Sequence, residues 1–232
     1  MDADDWWEPS FLQEMIHLIE QYPDAGMYGC KYKQIMNNKT IDVPIQLSHD
    51  FREGYIDYIQ SALENGFSPV WSSAVVVDKE KFQQVGGFNP KLTSGEDQEF
   101  WLRMALNFKT AYVNKSLAYY NMDIDVSTEL PSKRQPTKEQ FFIFNLDYFI
   151  PFEKENKQLK KLLDMKRLQN LSTYYLKDMY PQEVKNILGS IEYFPLKFKL
   201  FYKSPRVLVN FFFCAHNDVL SFKLFNFALS KS

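Results

Sequence analysis

The feature that most constrains this chain is its acidic opening, Met1-Asp2-Ala3-Asp4-Asp5-Trp6-Trp7-Glu8-Pro9. Three carboxylates in four positions stand just before a stretch of helical periodicity. In an extended run alternate side chains point the same way, so Asp2 and Asp4 would share a face. Two carboxylates that close repel each other unless a cation lies between them. Oxygen-only ligands favour a hard divalent ion such as Mg²⁺ or Mn²⁺, which leaves room for substrate phosphates. The same residues also fit a capped helix, with Asp5 or Asp4 as N-cap, Glu8 in the first turn and Pro9 near the first helical position. Both readings stay open on these residues. A site of this kind is normally fed by a hydrophobic strand. Only Met1 precedes it here, so either the site is not what it resembles or the chain begins partway through a domain.

At 232 residues the chain can be one large domain or a domain plus an appendage. It is 45% hydrophobic and 17% aromatic, enough for a real core and against wholesale disorder. A net charge of -2 supplies no global field for nucleic acid. Cys30 and Cys214 are far apart and flanked by apolar or small residues, which predicts buried thiols in a reducing compartment rather than a disulfide framework or zinc site. The acidic start is the wrong leading segment for a signal peptide. The apolar run from Val207 to Ala215 is too short to span a bilayer.

Residues 9–21 read as an amphipathic helix with Phe11, Leu12, Met15, Ile16 and Ile19 on its apolar stripe and His17 solvated. Strands over about 26–36 and 41–46 flank the polar turn Asn37-Asn38-Lys39-Thr40, a hairpin. His49-Asp50 reads as a turn rather than a catalytic dyad. A helix over 54–65 stops at Asn65-Gly66. A buried strand spans 70–77, and Asp78 caps a short helix that halts at Gly86-Gly87-Phe88. Ser94, three residues before Asp97, resembles a capping box at the start of a helix that turns Phe100, Trp101 and Met104 to the core. A strand follows over 110–120. Ser, Thr, Pro, Lys and Arg cluster at 127–136 as in a linker, and helical segments are expected over 137–149, 154–177 and 181–190. From Ile191 the chain is aromatic and basic, a mixture that fits a membrane-interface helix or a core-packing helix pair with a solvated basic face.

Taken together, Asp2-Ala3-Asp4-Asp5-Trp6, Ser72-Ser73, Gly86-Gly87-Phe88 and Gly95-Glu96-Asp97-Gln98-Glu99-Phe100-Trp101-Leu102-Arg103, in this order and spacing, resemble the second half of a family 2 glycosyltransferase. The resemblance covers about residues 1–122. It implies an α/β fold: a partial GT-A domain (a Rossmann-like mixed sheet with flanking helices) over 1–126, the linker 127–136, and a mostly helical aromatic and basic region over 137–232. It also implies a nucleotide-diphosphate-sugar donor and inverting transfer to an acceptor hydroxyl on a glycan or lipid-linked acceptor, in polysaccharide, glycolipid or glycoprotein synthesis. The family's Asp-x-Asp matches Asp2 and Asp4, implied to bind the donor through Mn²⁺ or Mg²⁺. Its Glu-Asp helix start matches Glu96 and Asp97. Asp97 is implied as the base and Glu96 as an acceptor contact.

Two departures accompany the resemblance. The family's N-terminal nucleotide-binding strands and helices have no counterpart, so the isolated chain is expected not to turn over sugar nucleotide. Where many members carry an Arg and a His after the last strand, this chain has Tyr120-Asn121-Met122-Asp123, with Asp123 a candidate metal ligand. The expected setting is cytoplasmic, at the inner face of a membrane. The alternatives are a catalytically inactive remnant that binds a partner or membrane, and, ranked below it, a metal hydrolase using the same carboxylates.

Overall fold

The computed structural model describes residues 1–123 and 135–204. Most of the expected linker, the apolar run 207–215, Cys214 and the aromatic and basic stretch beyond 204 lie outside the described residues. The chain divides into two compact units, Met1–Asn145 and Leu146–Ser232.

The first unit runs β1 (Trp6–Trp7), α1 (Phe11–Gln21), β2 (Ala25–Met36), β3 (Lys39–Asp42), β4 (Glu53–Ile56), α2 (Tyr58–Asn65), β5 (Val75–Val77), α3 (Lys79–Val85), α4 (Glu96–Asn107) and β6 (Lys109–Asn121). The six strands form one mixed sheet with flanking helices, the expected α/β architecture. Its centre is the parallel pair β2 and β6, with Tyr28 opposite Ala111 and Tyr32 opposite Ala118. Both strands read as near-continuous apolar and aromatic runs, the pattern of strands covered on two faces. β1 pairs antiparallel with the end of β6, placing Trp6 opposite Tyr119. β4 pairs antiparallel with its start, placing Ile56 opposite Thr110. β5 and β3 both pair antiparallel with β2.

Local chemistry explains the boundaries. Asn37 and Asn38 both take left-handed φ angles, 54° and 57°, the two-residue turn that matches strand twist. Asp57 and Asp78 accept the backbone N–H of Gln60 and Lys81, capping α2 and α3. Gly66 ends α2 at φ 75°.

Several expectations are corrected. α1 buries Phe11, Met15 and Leu18, whereas Leu12, Ile16 and Ile19 are exposed. The helix lies against the sheet on the narrower stripe, where Trp7 stacks on Phe11 at 4.2 Å. His17 is not merely solvated: β4 brings Glu53 over α1, and its Oε1 lies 3.0 Å from His17 Nε2. The segment 53–56, expected as the start of a helix, is β4, because Asp57 rather than an earlier residue caps α2. Only Val75–Val77 of the expected strand 70–77 is a strand, since Ala74 N–H turns back to Trp71 O.

The second unit holds α5 (Ile150–Glu155), α6 (Lys157–Asn170), α7 (Ser172–Leu176), α8 (Pro181–Gly189) and α9 (Leu196–Lys203); α8 is the helix expected over 181–190, whereas the one expected over 154–177 is broken among α5, α6 and α7. Where one helix was expected over 137–149, two single 3-10 turns stand, Phe142–Phe144 and Asp147–Phe149, the first of them in the first unit. The break before α6 is made by Asn156, which is extended and accepts from the N–H groups of Gln158 and Leu159. Leu159, Leu163, Leu168, Tyr174 and Phe198 are among the buried core side chains. A buried ion network crosses it: Arg167 forks onto Glu153 and also meets Asp164, which Lys160 contacts at 2.5 Å.

Candidate active site

The acidic opening is a turn, not an extended run: Asp5 N–H donates to Asp2 O at 3.3 Å. It is not a helix cap either. α1 starts later, at Phe11, because Trp6 and Trp7 are used to pair with β6. Glu8 precedes the helix and accepts from the Tyr119 hydroxyl. The three aspartates separate into two kinds. Asp2 and Asp4 are exposed, whereas Asp5 is only 6% exposed. Both Asp5 oxygens are used: Oδ1 accepts the Asn121 N–H at 3.0 Å and Oδ2 the Trp71 indole N–H at 3.3 Å. Asp5 is therefore the anchor of the turn, and Asp2 and Asp4 are the two carboxylates it presents to solvent.

The turn is fastened again through Ser73. Asp2 N–H donates to Ser73 Oγ at 3.0 Å, and the Trp7 indole N–H donates to Ser73 O at 2.6 Å. Trp71 stacks against Tyr120 with ring centroids 4.2 Å apart. The Tyr120 phenol is held above its ordinary pKa, first by burial and then by the negative charges of Asp5, Asp2 and Asp4. It is a neutral hydroxyl facing the acidic turn.

Glu96 and Asp97 open α4, both half-buried. The expected capping box does not form. Gly95 occupies the N-cap at φ 74°, Ser94 is bridged to Phe141, and Asp97 Oδ1 accepts the N–H of Gln98 at 2.6 Å. A side chain at Gly95 would also meet Phe142 Cβ at 3.0 Å, so glycine fits the position in both conformation and space. Four residues into α4, Glu99 and Arg103 form a buried forked pair at 2.6 and 2.7 Å. Arg103 also donates to Val85 O and Gly87 O, at 2.7 and 2.6 Å. This is the physical basis of the Gly-Gly lead-in: Gly86 and Gly87 take φ angles of 92° and 67°, which turns their carbonyl region onto Arg103.

One segment, residues 68–73, relates the two acidic motifs. At its far end Ser73 and Trp71 hold the acidic turn. At its near end Ser68 Oγ lies 2.9 Å from the Tyr58 hydroxyl and donates to Val70 O. Burial raises the Tyr58 pKa most, the Ser68 hydrogen bond offsets part of that, and the negative charge of Asp97 adds to the rise. The charge of Asp97 thus acts on Tyr58, the residue that Ser68 contacts. Trp71, Tyr120 and Tyr58 were not singled out from the sequence; the only signal was the small-residue pair Ser72-Ser73 beside a tryptophan.

Asp123 is corrected as a metal ligand. Its two oxygens accept the N–H groups of Asn37 and Asn38, at 2.5 and 2.8 Å, and so cap the left-handed hairpin turn. Asn121 accepts the Asp123 N–H through its side chain. The exposed pair His49 and Asp50 lie 3.0 Å apart in a loop. Cys30 is a buried thiol, pushed up to about 12 by burial. Among the described residues no group of three or more His, Cys, Asp or Glu side chains converges on a metal-sized site. Two exposed carboxylates on a fixed turn nonetheless fit a hard ion that takes its other ligands from phosphates and water.

The family model described as Glycosyl transferase family group 2 matches residues 1–224. Among curated proteins none matches the chain.

Proposed function

The chain belongs to the family 2 glycosyltransferases, and from that premise we propose that it carries the metal-binding and base residues for inverting transfer of a sugar from a nucleotide-diphosphate sugar to an acceptor hydroxyl on a growing glycan or lipid-linked acceptor. The reading is supported above all by residues 68–73, one end of which fastens the acidic turn while the other, Ser68, contacts Tyr58, on which the charge of Asp97 acts. Asp2 and Asp4 would hold a divalent metal, Mn²⁺ or Mg²⁺, whose charge when bound offsets that on the diphosphate leaving group. Asp97 takes the proton from the acceptor hydroxyl as its oxygen attacks the anomeric carbon. The bond to the diphosphate breaks on the opposite face, so a single base suffices. Glu96, beside it, accepts a hydrogen bond from another acceptor hydroxyl. The aromatic and lysine-rich sequence after Ile191 supports a cytoplasmic site of action at the inner face of a membrane.

Because the isolated chain is expected not to turn over sugar nucleotide, the test is transfer of labelled sugar from a panel of nucleotide-diphosphate sugars to membrane glycans in membranes of cells that express the protein, with Mn²⁺ present. Asp97→Asn should lower the rate by about 10²- to 10⁴-fold and leave Mn²⁺ binding, read by electron paramagnetic resonance, unchanged. Asp2→Asn with Asp4→Asn should abolish Mn²⁺ binding. A wild-type transfer rate in Asp97→Asn overturns the assignment. No transfer from any donor, with partner or lipid binding intact, favours the non-catalytic binding module.

A further inference from the structure

In α9 the inner and outer faces differ in kind. Phe198, Phe201 and Tyr202 are buried. The Tyr202 hydroxyl donates to Leu168 O at 2.6 Å, and the Tyr175 hydroxyl donates to Tyr202 O at 3.1 Å, which binds α9 to the helices beneath it. The approach to α9 is fixed as well. Fully buried Asp164 accepts the backbone N–H groups of both Glu192 and Tyr193, each at 3.0 Å. The outer face is therefore held in one orientation. It carries Leu196, 71% exposed, and Leu200, 62% exposed, four residues apart, with Lys199 and Lys203 exposed between and beyond them. Tyr193, also exposed, precedes them.

We propose that this outer face of α9 is a docking surface for an anionic lipid bilayer, with Leu196 and Leu200 entering the headgroup boundary and Lys199 and Lys203 meeting lipid phosphates. Three observations select a lipid surface over other occupants. First, the charge is of one sign: no acidic residue occurs between Glu192 and Asp218, whereas Lys197, Lys199, Lys203 and Arg206 do. A second copy docking on the same face would set lysines against lysines. Second, the face is small. Eight residues of helix are about 12 Å long, far short of the roughly 800 Å² per partner that a stable protein interface buries. A bilayer needs only inserted side chains and a charged rim. Third, leucines largely open to water beside lysines are the composition of a helix that lies in the interface plane, and eight residues cannot cross the hydrocarbon core. The proposal does not rest on glycosyl transfer.

The experiment is co-sedimentation of the full chain with vesicles of phosphatidylcholine alone or with about 30 mol% phosphatidylglycerol. The expected result is binding to the anionic vesicles that weakens at high salt, with little binding to phosphatidylcholine. The double variant L196D/L200D should bind at least about tenfold more weakly, and K199E/K203E should lose the preference for phosphatidylglycerol. Both should keep the wild-type far-ultraviolet circular dichroism and melting temperature, because these side chains point away from the core. Wild-type binding by both variants, absence of binding by the wild-type chain, or a dimer that L196D/L200D dissociates would each overturn the proposal.

Discussion

Replacing Asp5 tests how the acidic turn is held. Its two oxygens receive two N–H donors from residues 116 and 66 positions away, Asn121 and Trp71. A hydrogen bond to a charged acceptor contributes about 1.5–3 kcal/mol. Both donors belong to half-buried residues, which water can partly reach, and the Trp71 bond is long at 3.3 Å. The low end of the range therefore applies, and Asp5→Ala should cost about 3 kcal/mol. Asp5→Asn keeps one acceptor and sets an amide donor against the other N–H, so it should cost about 2 kcal/mol. All four tryptophans, at 6, 7, 71 and 101, lie in the first unit, so urea unfolding followed by tryptophan fluorescence reports that unit alone. A double-mutant cycle of Asp5→Asn with Trp71→Phe should give a coupling of about 1 kcal/mol. A cost under about 0.5 kcal/mol, or strict additivity with Trp71→Phe, refutes the anchoring role. If instead Asp5→Ala leaves stability intact and abolishes Mn²⁺ binding, Asp5 is a ligand and not an anchor.

Two further outcomes follow from buried groups. Arg103→Met leaves Glu99 charged and unpaired in the core and should destabilise the first unit by about 3–5 kcal/mol; adding Glu99→Leu should recover part of that loss, measured by the same urea titration. Cys30 is neutral in the fold with a pKa of about 12, so its contribution to stability is complete below the ordinary thiol pKa and is lost as pH rises toward 12. Replacing it by Ala should flatten the alkaline fall of stability by up to about 1.4 kcal/mol per pH unit, and in a Cys214→Ser background Ellman's reagent should label Cys30 no faster than the unit unfolds.

Features set by near neighbours were legible in the sequence. Asn37-Asn38, Asp78 and Gly66 determine backbone geometry through their own side chains or lack of one; the caps formed where expected, and the turn took only Asn37-Asn38 of its four expected positions, so that β3 runs over Lys39–Asp42 and not 41–46. What failed depends on distant partners. Nothing adjacent to Asp5 distinguishes it from Asp2 and Asp4; its burial comes from Asn121 and Trp71. The apolar residues of α1 outnumber those one face can bury, and only the position of the sheet selects Phe11, Met15 and Leu18. Asp123 looked like a candidate ligand because its chemistry suits a metal, but the N–H groups it satisfies belong to a hairpin more than eighty positions earlier. Glu96 and Asp97 open α4, where the resemblance put a helix start, whereas Gly95 at the N-cap stands in place of the expected serine because Phe142 crowds the position.

The span between Asp5 and Asn121 also has a consequence in time. The ribosome makes the acidic turn before its anchoring N–H, which comes 116 positions later, an interval of roughly 6 to 23 s at typical synthesis rates. Closing a loop of that length costs about 4 kcal/mol of chain entropy, which only the pairing of β6 with β2, β4 and β1 can offset. A nascent chain shorter than Asn121 can already form α1, the β2–β3 hairpin and the contacts of Trp71 and Ser73 with the turn, but Asp5 still lacks the N–H of Asn121. The last strand of the sheet to be synthesised is thus the one that completes the anchoring of the turn, and ribosome-stalled chains ending on either side of Asn121 should differ in protease resistance around Asp5.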